Sequence, residues 1–142
     1  MGALFGVTLF AATSPAPDTA RETKSLNAVC AHCHTLQIVM DTPMSYAEWH
    51  DTVQTMVDRG ASGTDEQFDD VMDYLHRTMT TINVNAADAG ELEIVLGVPK
   101  TVAEAIVARR AAQKFTGPVD LKSVSGIAAA VVDAKARLIF FK

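Results

Sequence analysis

Two cysteines and two histidines lie within five consecutive positions of the chain. Cys30 and Cys33 are separated by two residues, and His34 directly follows the second cysteine. The chain of 142 residues contains no other cysteine. This spacing is typical of covalent haem attachment, in which the two thiols form thioether bonds and the imidazole binds the iron. It predicts one haem c held by Cys30 and Cys33, with His34 as an axial ligand.

Two other chemistries also use closely spaced cysteines. A disulfide redox pair is usually set after a strand in a βαβ context, and the hydrophobic pattern of this chain does not indicate one. A zinc site would need two further ligands at a suitable spacing. His32 offers a donor, but it lies in the variable part of the motif and is interpreted as a solvent-facing residue. Haem attachment is the leading interpretation, and these two chemistries are its alternatives.

The length and the distribution of charge favour two small domains. We predict a signal-like segment and linker over residues 1–20, a haem domain over 21–81 and a second domain over 82–142. A domain of about 60 residues has a marginal hydrophobic core, so the haem would also serve as an apolar filler. The net charge is −7 through residue 81 and +2 from residue 82 onward. The acidic first half would repel nucleic acid and favour basic partner surfaces.

An apolar run of about ten residues occupies positions 3–12. It is too short to span a bilayer, and it suits the apolar region of a secretion signal, although no Lys or Arg precedes it. Pro15 and Pro17 then predict a linker. The run is interpreted as a cleaved signal or a retained anchor, with a buried helix as the alternative. Because haem is attached to such motifs outside the bacterial cytoplasm, we expect a periplasmic protein, associated with a membrane through this segment or through a partner complex.

Two capping boxes fix the start of helices in the first half. Ser45 precedes Glu48 by three residues, and Thr64 precedes Gln67 in the same way. Gly60 would end the first of these helices. The hydrophobic pattern predicts an all-α fold with helices over residues 21–31, 45–59, 64–80, 85–96, 100–113 and 119–124, a last helix that reaches residue 140, and a loop over 35–44.

The iron would need a ligand opposite His34. A methionine thioether stabilises the ferrous state and suits an electron carrier. Trp49, Val53 and Met56 share one face of a helix, but a methionine on an apolar stripe can also be a core residue, so the periodicity does not decide. The candidate ligands are Met40, Met44, Met56, Met72 and Met79, with His50 and His76 as nitrogen donors. The two histidines fall outside the stripe and are predicted to lie on the surface.

A family resemblance selects one of these candidates. The run from Cys30 to Thr35, then Trp49, the segment 53–61 and Tyr74-Leu75 resemble a small class I-type cytochrome c of the kind that accompanies periplasmic dehydrogenases. The resemblance covers residues 21–80 and includes a Trp-x3-Val-x2-Met segment. It implies that Met56 is the distal ligand, with Met44 or Met72 next. It also implies that Trp49, Val53 and Tyr46 pack against the haem, whereas the alternative for the two aromatic residues is an ordinary core position.

Residues 82–141 resemble the paired helix-hairpin-helix domain of bacterial competence DNA receptors. The residues that carry the resemblance are Ile82 to Ala87, Glu91-Leu92, Leu96-Gly97-Val98, Ala103 to Arg110, Phe115, Asp120-Leu121 and Val124 to Ile127. In that family, a Gly-x-Gly turn of each hairpin receives a DNA phosphate through backbone amides. Here Pro99 and Ala128 replace the second glycines, and proline has no amide hydrogen. We therefore expect the fold without DNA binding, and docking through the apolar segments 128–132 and 138–141, unless these segments fill the core.

Together these features predict an all-α, two-domain, periplasmic monohaem cytochrome c. It would carry single electrons between redox partner proteins, docked by its helix-hairpin-helix domain to a membrane or periplasmic electron-transfer complex. It would have no catalytic residue and no small-molecule substrate, because an enzyme needs a labile coordination position and a placed acid or base. The alternatives are a haem enzyme or gas sensor, which would bind carbon monoxide rapidly, and a DNA-uptake protein with a redox domain, which would retard duplex DNA.

Overall fold

The computed structural model describes residues 18–142, which form eight helices and two short strands. The mostly helical architecture confirms the predicted all-α class. The apolar run and most of the predicted linker lie outside the described residues. Within residues 18–142, no helix is long and apolar enough to cross a membrane. The elements are α1 (Thr19–Cys30), α2 (Gln37–Met40), α3 (Tyr46–Asp58), α4 (Asp65–Thr78), β1 (Ile82–Asn83), α5 (Ala89–Leu96), α6 (Lys100–Ala112), α7 (Pro118–Lys122), α8 (Ala129–Ala134) and β2 (Ile139–Phe140).

Both predicted capping boxes form. The Ser45 hydroxyl accepts the amide of Glu48 at 3.3 Å, and the Glu48 carboxylate accepts the amide of Ser45 at 2.7 Å. Thr64 and Gln67 make the same exchange at 3.2 and 2.9 Å. Gly60 follows the end of α3 with φ of +101°, a left-handed conformation that glycine adopts without steric cost. Local capping chemistry thus sets the ends of α3 and the start of α4.

The first half packs α1 along α4. Leu26 and Val29 of α1 belong to one hydrophobic cluster with Val71 and Leu75 of α4, and Trp49 of α3 joins it. All five side chains are buried. Their burial removes apolar surface from water, which is the main favourable term in folding. The last residue of α1, Cys30, is therefore carried to the edge of this core.

Charged side chains are also buried between α1 and α4. The Asp70 carboxylate accepts Arg21 Nε at 2.8 Å and the Ser25 hydroxyl at 2.9 Å. Two turns further along α4, Arg77 donates to Glu22 at 2.5 Å. The side chains of Glu22 and Asp70 are only 4% and 5% exposed. Buried charges are tolerated when they are paired, so these two acidic residues fix the register of the two helices.

The second half consists of two helical hairpins with a larger core. Gly97 joins α5 to α6 with φ of +65°, and Gly126 lies in the turn between α7 and α8 with φ of +88°. The core is formed mainly by Leu92, Ile106 and Leu121 together with twelve other buried residues. The glycine turns occupy the two places that the sequence predicted.

The start of α5 differs from the prediction. Asn85 was expected to cap a helix that runs to Leu96, but the helix begins at Ala89, and Asp88 forms the capping box with Glu91. The Asn85 side chain instead donates to the carbonyl of Phe115 at 2.9 Å and accepts its amide at 2.9 Å. Because Phe115 is buried, this pair of hydrogen bonds closes the loop after α6 and holds Asn85 out of the helix.

The predicted last helix is also too long. It ends at Ala134, and the apolar tail forms β2, which pairs in parallel with β1 in the register Ile82 with Ile139 and Asn83 with Phe140. Isoleucine and phenylalanine favour strands when a partner is present. The predicted loop over residues 35–44 likewise contains the short helix α2. Both β2 and α2 are short elements, and contacts with other parts of the fold stabilise them.

The two halves meet at the segment between α4 and β1. Met44 forms an isolated parallel bridge with Thr80, and its carbonyl accepts the amide of Thr81 at 2.8 Å. From the other side, the amino group of Lys135 donates to the carbonyl of Arg77 near the end of α4. The division into two domains at residue 82 stays a prediction, although each half has its own hydrophobic cluster.

Candidate functional site

The cysteine motif starts at the end of α1. Cys30 is the last residue of that helix and is half-buried, Cys33 is exposed in the following turn, and both thiols are free. Burial raises the pKa of Cys30, so this thiol is less ionised at neutral pH than an ordinary cysteine. His32 is exposed. The motif therefore presents two thiols and an imidazole at the surface of the first core.

One ring nitrogen of His34, Nδ1, makes a hydrogen bond with the backbone. This nitrogen lies 3.2 Å from the carbonyl oxygen of Thr35. A carbonyl oxygen only accepts, so this hydrogen bond assigns the proton to Nδ1 and leaves the Nε2 lone pair for a metal. Metal-binding histidines commonly donate their other nitrogen to a carbonyl in this way. The local geometry of His34 thus suits an axial ligand.

The hydrophobic cluster that includes Cys30 is covered less completely than the cluster of the second half. The cluster of the first half has six buried residues and nine partly buried ones, whereas that of the second half has fifteen buried and six partly buried. The partly buried residues of the first half are Cys30, Leu36, Val39, Met40, Met44, Val53, Phe68, Met72 and Tyr74. Such side chains could cover a flat apolar group attached at Cys30, so the residues fit a covalent haem.

The five methionines of residues 18–142 differ in what their sulfurs contact. Met40 Sδ lies 3.6 Å from the hydroxyl of Tyr74, Met44 Sδ lies 3.4 Å from that of Thr52, and Met79 Sδ lies 3.7 Å from Arg137. Within the described part of the chain, the sulfurs of Met56 and Met72 have no hydrogen-bond donor. These two thioethers keep both lone pairs for another interaction.

The predicted apolar stripe of α3 is buried to different depths. Trp49 is fully buried, and its indole donates to the carbonyl of Met79 at 3.1 Å. Val53 is half-buried against the same core. Met56 is half-buried in the last turn of α3 and lines a shallow groove of about 190 Å³ beside Thr52 and Thr55. The structure therefore brings Trp49 and Val53 into the first core, while Met56 lies at its margin.

The prediction that His76 lies on the surface is wrong. His76 is 5% exposed, and its ring stacks on Tyr46 with centroids 3.8 Å apart. Burial, and after it the nearby His50, together lower the pKa of His76 to about 4, although an interaction with the backbone of Tyr46 partly opposes them. The sequence indicates that Tyr46 and His50 are neighbours, because they are four residues apart on α3. It does not indicate that they contact His76 of α4, because that contact depends on how the two helices pack. His50 itself is exposed, as predicted.

Acid should destabilise the fold through His76. Its pKa in the folded state is about 4, below the ordinary value of 6.5, so the neutral ring favours folding fully above pH 6.5. As the pH falls from 6.5 toward 4, the unfolded chain binds a proton that the folded chain does not. We expect a loss of about 2–3 kcal/mol in the free energy of unfolding across this window. Urea titrations followed by circular dichroism at pH 7.5 and 4.5, with a metal chelator present, measure it.

A matched pair of variants isolates this effect. His76→Phe keeps a ring that can stack on Tyr46 and removes the titration, so its unfolding free energy should fall less between the two pH values. His32→Gln alters an exposed histidine and should behave like the parent chain. An equal acid-induced loss in His76→Phe and in the parent would refute the role of His76.

In the turns of the two hairpins, Pro99 and Ala128 stand where the Gly-x-Gly pattern has its second glycine. Pro99 lies at the start of α6 and has no amide hydrogen, and Ala128 lies at the start of α8 with no side-chain cap. Six of the eight basic side chains in this half already contact acceptors of the same chain, including Lys100 with Glu104 and Arg137 with Met79. Arg109 binds Asp120, Lys122 binds Asp133, and Arg110 and Lys135 donate to backbone carbonyls.

The predicted apolar surface is only partly exposed. Val132 and Leu138 are buried, whereas residues 128–130 are exposed and residues 139–141 are half-buried. The most exposed large apolar side chain among residues 18–142 is Val119 of α7, at 82%. The apolar segments are therefore divided between core and surface, so each of the two predicted alternatives holds for part of them.

The comparisons with known proteins concern mainly this second half. Residues 78–139 match the helix-hairpin-helix motif family. The helix-hairpin-helix prediction is thereby confirmed, while no cytochrome c domain is matched. Neither the curated proteins nor the solved structures gave a match. The matched segment contains both hairpins and β1, and it ends at the first residue of β2.

Proposed function

We propose that this chain is a periplasmic monohaem cytochrome c that transfers single electrons. The proposal depends chiefly on the motif Cys30, Cys33 and His34 at the end of α1, whose first cysteine packs against the partly covered hydrophobic cluster. Haem c, when bound, supplies an iron that gains and loses one electron. The two cysteines would hold its edge, and His34 would bind the iron through Nε2, which the Thr35 carbonyl leaves free.

Met56 is the proposed ligand on the opposite side. Its sulfur has no donor within residues 18–142, whereas the sulfurs of Met40 and Met44 each lie beside a hydroxyl. It is half-buried in the last turn of α3 and is not a member of the first hydrophobic core. Met72 has a similarly free sulfur but packs against the core. Trp49 and Val53 would contribute apolar contacts from the same helix as Met56.

The surroundings of the motif disfavour the two other cysteine chemistries. Redox-active cysteines have lowered pKa values, and burial raises the pKa of Cys30. A structural zinc site at the motif would need four protein ligands, and within residues 18–142 no cluster of three or more His, Cys, Asp or Glu side chains forms there. Both observations support thioether formation as the use of the thiols.

The helix-hairpin-helix half is proposed to dock the chain to a redox complex. Its basic side chains at Arg109, Arg110, Lys122 and Lys135 are held within the fold, and Pro99 removes an amide from the first turn. These features lower the attraction for a phosphate backbone, which depends on free cations and amides. Val119 and residues 128–130 offer exposed apolar surface for a protein partner.

The mass of the exported chain tests the proposal directly. Expression with a periplasmic haem-attachment system should give a red protein whose mass includes one haem that denaturation does not remove. The double variant Cys30→Ser/Cys33→Ser should be exported without covalent haem, while His32→Gln, inside the same motif, should keep it. A parent protein of unmodified mass, recovered from cells that load a control cytochrome, would refute the proposal.

A further inference from the structure

Two histidines from neighbouring helices face each other beside the junction of the two halves. The ring centroids of His50 on α3 and His76 on α4 are 5.1 Å apart, and the ring planes are tilted by 42°. His76 is 5% exposed, whereas the ring of His50 is exposed to solvent. The pair therefore has one ring anchored in the fold and one that can adjust.

The buried ring has an unpaired nitrogen. Nε2 of His76 is buried and has no hydrogen-bond partner within residues 18–142. Buried polar atoms in folded proteins are nearly always paired, and an exception calls for a water, an ion or another partner. The His76 ring is held in place by stacking on Tyr46, with centroids 3.8 Å apart. In the tautomer that carries its proton on Nδ1, the unpaired Nε2 has its lone pair available for a metal.

The separation of the two rings suits a shared metal ion. Imidazole nitrogens bind Zn²⁺ at about 2.0–2.1 Å, which puts the ring centre about 3.2 Å from the ion. Two rings with centroids 5.1 Å apart would then subtend an angle of about 105° at the ion, close to the tetrahedral value. Tyr46 supports the arrangement, because its ring stacks on His76 and lies 5.4 Å from that of His50.

We propose that His50 and His76 form a binding site for one divalent transition-metal ion of the zinc class. Imidazole is a good ligand for such ions. Water would complete the coordination sphere, since no third His, Cys, Asp or Glu within residues 18–142 joins the pair. The site is separate from the cysteine motif and does not depend on haem. By linking α3 to α4, a bound ion would stabilise the first half of the chain.

Isothermal titration calorimetry of the full chain with Zn²⁺ tests the site. The parent should bind Zn²⁺ at this site, and His50→Gln should lower the affinity of that event at least about tenfold, because it removes a direct ligand rather than a supporting residue. His50 is exposed, so its substitution should leave the fold intact. Zn²⁺ should also raise the thermal midpoint of the parent but not that of His50→Gln.

His32→Gln is the matched control, because His32 is exposed and lies in the cysteine motif. It should bind Zn²⁺ at the proposed site as tightly as the parent does. If zinc binds instead at the motif, His32→Gln or the loading of haem will change the titration while His50→Gln will not, and this result would overturn the proposal. Absence of zinc binding to the parent would do the same.

Discussion

Met56→Ala is expected to keep haem covalently bound while opening one axial position of the iron. The thioethers to Cys30 and Cys33 do not involve Met56, so the haem content should be unchanged. The ferrous variant should bind carbon monoxide rapidly, whereas the parent should resist it. The absorption spectrum should change from that of a six-coordinate low-spin iron to a high-spin or ligand-exchanging form. Optical spectra with and without carbon monoxide measure both effects.

The other methionines provide the comparison. Met72→Ala removes the second sulfur that lacks a donor, and Met44→Ala removes one that lies 3.4 Å from the hydroxyl of Thr52. Both side chains pack against the core of the first half, so their loss should cost stability without opening the iron. If Met72→Ala or Met44→Ala opens the axial position and Met56→Ala does not, the axial ligand is the methionine whose loss opens it. Rapid carbon monoxide binding by the parent would instead favour a haem enzyme or gas sensor.

Elements with local signals were predictable from the sequence. The exchange between Ser45 and Glu48 needs only residues three positions apart, and so does that between Thr64 and Gln67. Gly97 and Gly126 mark turns because they supply the left-handed conformation at which the hairpins reverse. For these reasons the helices α3 and α4 and both turns lie where the pattern indicated.

Elements that depend on distant partners were not predictable. Asn85 resembles a helix cap, but its amide is paired with Phe115, 30 residues away. The strand Ile139–Phe140 exists because Ile82–Asn83 lies beside it, 57 residues earlier in the chain. Neither local propensity nor periodicity reports such a partner. The predicted helices at α5 and α8 were therefore too long, because tertiary contacts hold Asn85 and Ile139–Phe140 in other conformations.

Burial depth limited the prediction of the candidate site. Periodicity places Trp49, Val53 and Met56 on one face of α3. In the structure, Trp49 is fully buried, whereas Val53 and Met56 are only half-buried. His76 is the converse case, because a titratable ring on a polar-looking position proved to be covered by Tyr46. A periodic pattern gives direction but not depth, since depth depends on which neighbouring element covers each position.

Arg77→Met should destabilise the chain more than any surface substitution. It removes the cation that binds Glu22 at 2.5 Å and leaves a carboxylate that is only 4% exposed without a counter-charge. Breaking a buried ion pair in this way costs about 3–5 kcal/mol, because the remaining charge has lost its hydration and gained nothing in return. Urea unfolding at pH 7.5 followed by circular dichroism should show a lower midpoint, with α1 and α4 lost together.

The double variant separates the charge from the packing. Glu22→Met/Arg77→Met replaces the pair by apolar side chains of similar length, so most of the stability should return, since buried ion pairs often contribute little beyond their own desolvation. Arg59→Met, an exposed arginine at the end of α3, should change the unfolding free energy by less than about 0.5 kcal/mol. If the double variant is as unstable as Arg77→Met, the loss of stability comes from poorer packing between α1 and α4. It would then not come from the unpaired carboxylate of Glu22.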